Sequence, residues 1–108
     1  MAQAKTYNAK VIEVTGGNIR NNHIYLRSAL KLIPNDAIGG TNAASPGRPI
    51  TVTFVPGGMI ETDLPEDKLF LRCRSEVGAF FAAAKVHEGD FVLFTRLGER
   101  EYEIRKLS

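Results

Sequence analysis

The stretch TGGNIRNN, residues 15–22, concentrates hydrogen-bonding side chains between two apolar runs of the chain. A tight β-hairpin needs only about two residues at such a place, so this connection is long for a turn. Arginine pairs with guanine, and asparagine with adenine, through two hydrogen bonds in a DNA major groove. Glycine lets a backbone bend or approach a partner closely. The stretch therefore indicates either a mobile loop with turn-forming asparagines or a reader of base edges, made of Gly16, Gly17, Asn18, Arg20, Asn21 and Asn22.

Two further segments place polar side chains on one face of a predicted strand. In HIYLR apolar residues alternate with His23, Tyr25 and Arg27, and LFLRCR places Arg72 and Arg74 on one face. Successive residues of a strand point to opposite faces of its sheet. If the two strands are neighbours, these side chains form one surface that carries three arginines and a tyrosine. The pattern alone favours the alternative, in which they are ordinary solvated strand faces with edge charges.

An acidic segment, ETDLPEDK, spans residues 61–68. Metal-dependent nucleases hold Mg²⁺ with converging carboxylates, and a lysine often stands beside them. Such a segment is more often a solvated turn, because hard-cation sites draw carboxylates from different elements of the fold. The charged residues of the segment are Glu61, Asp63, Glu66, Asp67 and Lys68.

The sequence contains no recognisable catalytic constellation. Cys73 is the only cysteine, which excludes an internal disulfide and a multi-cysteine metal site. A nucleophilic cysteine needs a histidine partner, and neither His23 nor His87 is close to it in sequence. The segment GGTNAASPG lacks the Gly-Lys-Ser/Thr ending of a phosphate-binding loop. We therefore expect a binding protein rather than an enzyme, with no catalytic residue, metal or cofactor.

Composition sets the class of protein and the distribution of charge. The 108 residues are 44% hydrophobic, which fits one domain covering residues 1–108 with a sizeable core. The net charge is only +2, but residues 1–58 hold six basic and two acidic residues. A basic face on a nearly neutral body is therefore expected. Neither a membrane span nor a signal peptide is recognisable, so we expect a cytoplasmic protein that is a monomer as an isolated domain.

Alternation of apolar residues and turn-forming residues predict seven strands and two short helices. The order of the elements argues against a doubly wound parallel sheet. It favours a mainly β fold, a seven-stranded open pseudobarrel capped by the two helices. Ser28 and Ser75 are the predicted N-caps, and Pro34 ends the first helix. The predicted strands are 5–14, 23–27, 50–55, 59–64, 69–74, 91–97 and 101–107, and the predicted helices are 29–33 and 76–86.

Two blocks carry a resemblance to a known family. HIYLRSAL resembles a strand that runs into a first helix, and FLRCRSEVGAFFAAAKVHEGDFVLF resembles a strand, a capped helix with a central Phe, a Gly-Asp turn and an apolar strand. In this order they resemble the DNA-binding pseudobarrel of the B-three superfamily, the plant transcription factor type. DAIGGTN and TDLPEDKLFLRCR are similar to the recognition domains of restriction endonucleases such as EcoRII and BfiI.

This resemblance implies sequence-specific binding of double-stranded DNA by two loops that grip the major groove. The first loop matches residues 15–22 and the second residues 61–68, which is acidic here. The domain would serve as the recognition part of a restriction endonuclease, with a fused or partner nuclease domain, or stand alone. Two alternatives stay open: a metal-dependent nuclease using Glu61, Asp63, Asp67 and Lys68, and a small barrel that binds protein or carbohydrate. Phosphate contacts are expected from Lys5, Lys10, Arg27, Lys68, Arg72 and Arg74.

Overall fold

The computed structural model describes residues 8–107. Seven strands, two α-helices and two 3-10 turns follow one another along this part of the chain. The strands are β1 Ala9–Glu13, β2 Ile38–Gly39, β3 Ile50–Val55, β4 Met59–Thr62, β5 Leu64–Pro65, β6 Phe91–Arg96 and β7 Glu101–Leu107. The helices are α1 Gly16–Asn21 and α2 Arg74–Ala83, and the 3-10 turns are Arg27–Leu32 and Asn35–Ala37.

The strands form a five-stranded mixed sheet in the order β1-β6-β7-β3-β4 and a separate pair, β2 with β5. Neighbours in the large sheet are antiparallel, except that β3 lies parallel to β7. The mainly β character is thus confirmed, the number of strands equals the predicted seven although not all are the predicted ones, and the sheet does not close into a barrel. β6 and β7 form the predicted hairpin, in which Phe94 pairs with Ile104.

One hydrophobic core joins the large sheet, α2 and apolar residues of the segments 24–37 and 64–71. Burial alternates strictly along β3, where Ile50, Val52 and Phe54 point inward, as the period of a strand requires. The helix presents Val77, Phe80 and Phe81 to the same core, which confirms most of the predicted apolar stripe, and Ala84 is partly buried. Full burial of each such side chain contributes roughly 1.5–3 kcal/mol.

Two predicted strands are wrong. Segments 23–27 and 69–74 meet at a single antiparallel bridge, Tyr25 with Phe70. Asn22, directly before the first segment, and Leu69, the first residue of the second, adopt the left-handed conformation at φ 56° and 59°. The first segment runs into a 3-10 turn at Arg27 and the second into α2 at Arg74, which leaves each too short for a ladder. The predicted strand 59–64 is divided into β4 and β5, and the β2 strand was not predicted. In strand 5–14, residues 5–7 lie outside the described residues.

The helix boundaries also differ from the predicted ones. The stretch TGGNIRNN is not a loop, because most of it forms α1. α2 begins at Arg74 with Cys73 at the N-cap position and no side-chain cap, so Ser75 is inside the helix and is not its cap. The predicted helix 29–33 is the 3-10 turn Arg27–Leu32, which contains Ser28 and ends before Pro34. Within residues 8–107, no helix has the length and apolar character needed to cross a membrane.

Candidate nucleic-acid interface

The start of α1 is fixed by a reciprocal pair of hydrogen bonds. The Thr15 hydroxyl accepts from the Asn18 backbone N–H at 3.2 Å, and the Asn18 Oδ1 accepts from the Thr15 N–H at 2.9 Å. This is a capping box in which asparagine takes the place of the usual Glu or Gln. The T-x-x-N spacing was therefore a helix signal that the sequence analysis missed. The amide oxygen of Asn18 is used by the backbone of its own helix.

The end of α1 is fixed against α2. Asn22 caps the helix in the left-handed conformation, which asparagine adopts more readily than most residues. A Cβ at Gly78 would lie 2.8 Å from the Asn22 side chain, so only glycine leaves room for this contact. The Asn21 Nδ2 donates to the Gly17 carbonyl at 2.9 Å. The three asparagines Asn18, Asn21 and Asn22 thus use their side chains in contacts within the fold. Arg20, in contrast, is exposed and makes no ion pair within residues 8–107.

Beside the end of α1 lies an open cleft of about 550 Å³, called here the central cleft. Residues from both predicted loops and from both predicted arginine-bearing strands meet in it. Its lining residues are Asn21, His23, Thr41, Ala43, Pro65, Asp67, Lys68, Phe70, Arg72 and Arg74. Predicted site residues that do not line it are Gly16, Gly17, Asn18, Arg20, Asn22, Tyr25, Arg27, Glu61, Asp63 and Glu66.

Arg72 and Asp63 form a partly buried ion pair at the side of the central cleft. The Arg72 Nε and Nη2 donate to the two Asp63 oxygens at 2.7 and 3.1 Å. Their side chains are 19% and 6% exposed. Asp63 also accepts from the Gly47 N–H at 2.6 Å, and Arg72 donates to the Gly40 carbonyl at 2.8 Å. This bidentate geometry fully engages the Asp63 carboxylate within the protein.

Lys68 and Arg74 are the other two cations of the central cleft. Both are exposed, and neither makes an ion pair within the described residues. The Arg74 Nε donates to the Asn21 carbonyl at 3.1 Å, which places its guanidinium beside the end of α1. Asp67 is exposed on the same cleft. The cleft therefore presents two uncompensated positive charges and one carboxylate.

His23 is packed in an aromatic cluster at the wall of the central cleft. Its ring stacks on Phe70 at 4.0 Å with an interplanar angle of 12°, and its Nδ1 lies 3.3 Å from the Tyr25 hydroxyl. The Nε2 is buried and has no hydrogen-bond partner. Burial lowers the pKa of His23, and the positive charges of Arg74 and Lys68 lower it further. Both effects favour the neutral form of the imidazole.

One lining segment was not predicted as part of a site. Thr41 and Ala43 belong to the loop between β2 and β3, which the sequence analysis treated only as loop material. Glycine, proline and serine identify this segment as a loop, but they carry no signal for which side of the fold it covers.

The remaining predicted charges are dispersed. Glu61 lies in β4, opposite Thr51 of β3, and Asp63 is engaged by Arg72. Among residues 8–107, no three His, Cys, Asp or Glu side chains converge as a metal site would require. The hypothesis of a metal-dependent nuclease has no direct test in the structure and stays a prediction. Lys10 lies in β1, away from the lining of the cleft, and Lys5 lies outside the described residues.

Comparison with known proteins gives a likeness in structure. No protein-family model matches the chain, and no curated protein matches it. The chain is similar in fold to the N-terminal domain of Helicobacter pylori LlaJI.R1, with a TM-score of 0.63 and 9% sequence identity. The similarity covers 93% of this chain and 87% of that one. At this identity the two chains share the fold, and their side chains differ at most positions.

Proposed function

We propose that this chain is a sequence-specific binding domain for double-stranded DNA, of the B-three type, and that it uses the central cleft together with α1. The observation that carries the proposal is the pair of exposed, uncompensated cations Lys68 and Arg74 beside the end of α1. Neutralisation of phosphates by such groups supplies most of the sequence-independent part of DNA affinity. The resemblance of DAIGGTN and TDLPEDKLFLRCR to the recognition domains of restriction endonucleases supports a role as the recognition domain of such an enzyme.

The polar groups around these cations are suited to base recognition. Asp67 repels phosphates, but its carboxylate can accept a hydrogen bond from the amino group of cytosine. Arg20 is exposed on α1, and its guanidinium, which lies over Gly16 and Gly17, makes no ion pair within residues 8–107 and can pair with guanine once it extends. In this arrangement Lys68 and Arg74 position the domain on the backbone, whereas Arg20 and Asp67 discriminate between bases.

Selection from a pool of randomised duplexes tests the proposal directly. We expect enrichment of one short sequence, and we expect its affinity to fall as salt is added because phosphate contacts release counterions. Recovery of the pool without enrichment, or an affinity that does not change with salt, would contradict the proposal.

The role of Arg20 is tested by the Arg20→Ala variant. Loss of one bidentate contact should reduce discrimination at a single base pair by about 1–3 kcal/mol. Arg48→Ala is a matched control, because Arg48 is also exposed but belongs to the connection before β3 and pairs with Asp36. If Arg20→Ala keeps both the affinity and the preference of the wild-type chain, α1 does not read the DNA.

A further inference from the structure

The loop of residues 40–46, called here the 40–46 loop, is clamped at its base. The Gly47 N–H donates to Asp63 at 2.6 Å, and Arg72 donates to the Gly40 carbonyl at 2.8 Å. The same ion pair therefore holds both ends of the loop. A third tie is the hydrogen bond from the Glu66 N–H to the Gly39 carbonyl at 3.0 Å.

The two ends of this loop also approach more closely than side chains permit. A Cβ at Gly39 would lie 2.2 Å from the Gly47 backbone nitrogen, and one at Gly47 would lie 2.7 Å from the Ala37 carbonyl carbon. Glycine is required at both positions for the two ends of the loop to lie this close together. The base of the 40–46 loop is thus determined by packing as well as by hydrogen bonds.

The tip of the 40–46 loop is ordered by its own contacts but exposed. The Gly40 N–H donates to the Ser45 carbonyl at 2.7 Å, and the Ala44 N–H donates to the Asn42 Oδ1 at 2.8 Å. The second contact is an Asx turn, a common way of holding a short loop. Residues 41–46 are all exposed, and Thr41 and Ala43 face the central cleft. A rigid loop with small and uncharged side chains therefore stands opposite Lys68 and Arg74.

We propose that the 40–46 loop is a third DNA-contacting segment, in which Thr41 supplies an uncharged hydrogen-bonding group beside the cations of the cleft. Asn42, the next residue, supplies a second such group at the exposed tip of the loop. This inference rests on the proposed function. Threonine and asparagine contact both phosphates and base edges. Asn42 uses its Oδ1 inside the loop, and its Nδ2 makes no hydrogen bond within residues 8–107. Ala43 and Ala44 allow a close approach of the DNA to the loop.

Asn42→Asp is the decisive variant. It keeps the oxygen that accepts from Ala44, so the Asx turn is preserved, and it places a negative charge where DNA phosphates would lie. Asn35→Asp is the matched control, since Asn35 is also exposed, lies outside the 40–46 loop in another cleft of the protein, and gives the same change in net charge. With the duplex enriched from the randomised pool, Asn42→Asp should bind at least about tenfold more weakly than Asn35→Asp, because like charges meet at the interface.

The outcomes separate this inference from the proposed function. If the wild-type chain binds no duplex, the proposed function fails and the inference fails with it. If the wild-type chain binds DNA and the two variants bind equally, only the inference is overturned. Thr41→Val gives a second measurement, and we expect weaker binding with an unchanged dependence on salt, because no charge is removed.

The clamp is tested by combining variants. If Asp63 positions the loop, Asp63→Asn should reduce the penalty of Asn42→Asp, because the loop is then no longer held against the DNA. An unchanged penalty in the double variant would overturn the positioning role. If Asp63 only stabilises the fold, Asp63→Asn should lower the free energy of unfolding and leave the binding penalty of Asn42→Asp unchanged. Should Asp63→Asn fail to fold, Arg72→Lys keeps the charge while it removes the bidentate geometry.

Discussion

Two open clefts of similar size, each containing several arginine or lysine side chains, differ in what those cations contact. One of them is the central cleft. The other, called here the arginine cleft, has a volume of about 590 Å³. Its charged lining residues are Lys31, Asp36, Arg48, Arg96, Glu99 and Arg100.

Most cations of the arginine cleft are used within the protein. Arg100 pairs with Asp36 at 2.8 Å and donates to the carbonyls of Pro49 and Arg48 at 3.1 and 2.7 Å. Arg48 also pairs with Asp36, at 3.7 Å. Arg96 donates to the carbonyl of Gly98 at 2.9 Å. These contacts hold the long connection before β3, and the single carboxylate of Asp36 pairs with two of the four cations.

In the central cleft Arg72 pairs with Asp63, whereas Lys68 and Arg74 have no acidic partner within residues 8–107. In the arginine cleft Lys31 and Arg96 also have none within the described residues. The comparison teaches that the number of basic residues in a cleft does not identify a binding surface. The clefts differ instead in the burial of the acid that pairs with their arginines, because the Asp63 side chain is 6% exposed and the Asp36 side chain is 53% exposed. Four predictions test this difference.

The largest effect is expected when the buried pair of the central cleft is broken. Arg72→Ala leaves Asp63, which is 6% exposed, with an uncompensated charge, so the free energy of unfolding should fall by about 3 kcal/mol. Arg48→Ala removes an exposed pair of the arginine cleft and should cost less than about 1 kcal/mol. Urea unfolding of both variants measures the difference, and equal losses would erase the distinction between the two pairs.

The next effect concerns DNA affinity. Arg74→Ala should weaken binding about tenfold and lower the slope of log affinity against log salt by about 0.9, as expected for one lost phosphate contact. Lys68→Ala should act in the same way. Arg48→Ala should change neither quantity. A salt slope that falls equally for Arg48→Ala would show that the arginine cleft contacts the DNA as well.

A smaller effect is the dependence of stability on pH through His23. Its pKa is lowered in the folded protein, below the usual value of about 6.5, so the unfolded chain takes up a proton first as the pH falls. Its contribution to stability is thus complete above about pH 6.5 and is lost as the pH falls towards the folded pKa. Proton NMR titration should also show the pKa of His23 rising in Arg74→Ala, whereas Arg48→Ala should leave it unchanged.

The smallest effect is expected from Asp36 in the arginine cleft. The hydrogen bond from Arg100, together with the charges of Arg100 and Arg48, lowers the pKa of this exposed carboxyl. Its contribution to stability is therefore present above about pH 4 and lost in more acidic solution. Asp36→Asn should remove this part of the acid dependence and leave the His23 range unchanged. A change near pH 6 in this variant would contradict the assignment.

Parts of the fold were predictable because they depend on local patterns. The strict alternation of β3 and the helical spacing of Val77, Phe80 and Phe81 in α2 each appear in a short window of sequence. α1 was missed because its capping box uses Asn18 where glutamate or glutamine is usual. The strand predicted at 69–74 failed because its alternation is correct but Leu69 adopts a left-handed backbone conformation, which no composition rule assigns to leucine.

The candidate site was predictable only in its residue types. The sequence analysis named six of the lining residues of the central cleft, Asn21, His23, Asp67, Lys68, Arg72 and Arg74. It could not separate Arg72 from Arg74, because both lie on the same predicted strand face. Nor could it place Thr41 and Ala43 in the cleft, because nothing in a loop sequence specifies the element against which the loop packs.

By itself, the sequence determined that the chain is mainly β, that a helix precedes a terminal hairpin, and that basic residues outnumber acidic ones in its first half. The tertiary structure decided which charges remain available to a partner. Asp36 meets Arg100 from 64 positions away, and Asp63 meets Arg72 from nine. An ion pair depends on the distance between side chains in the folded state, and that distance does not follow from their separation along the chain.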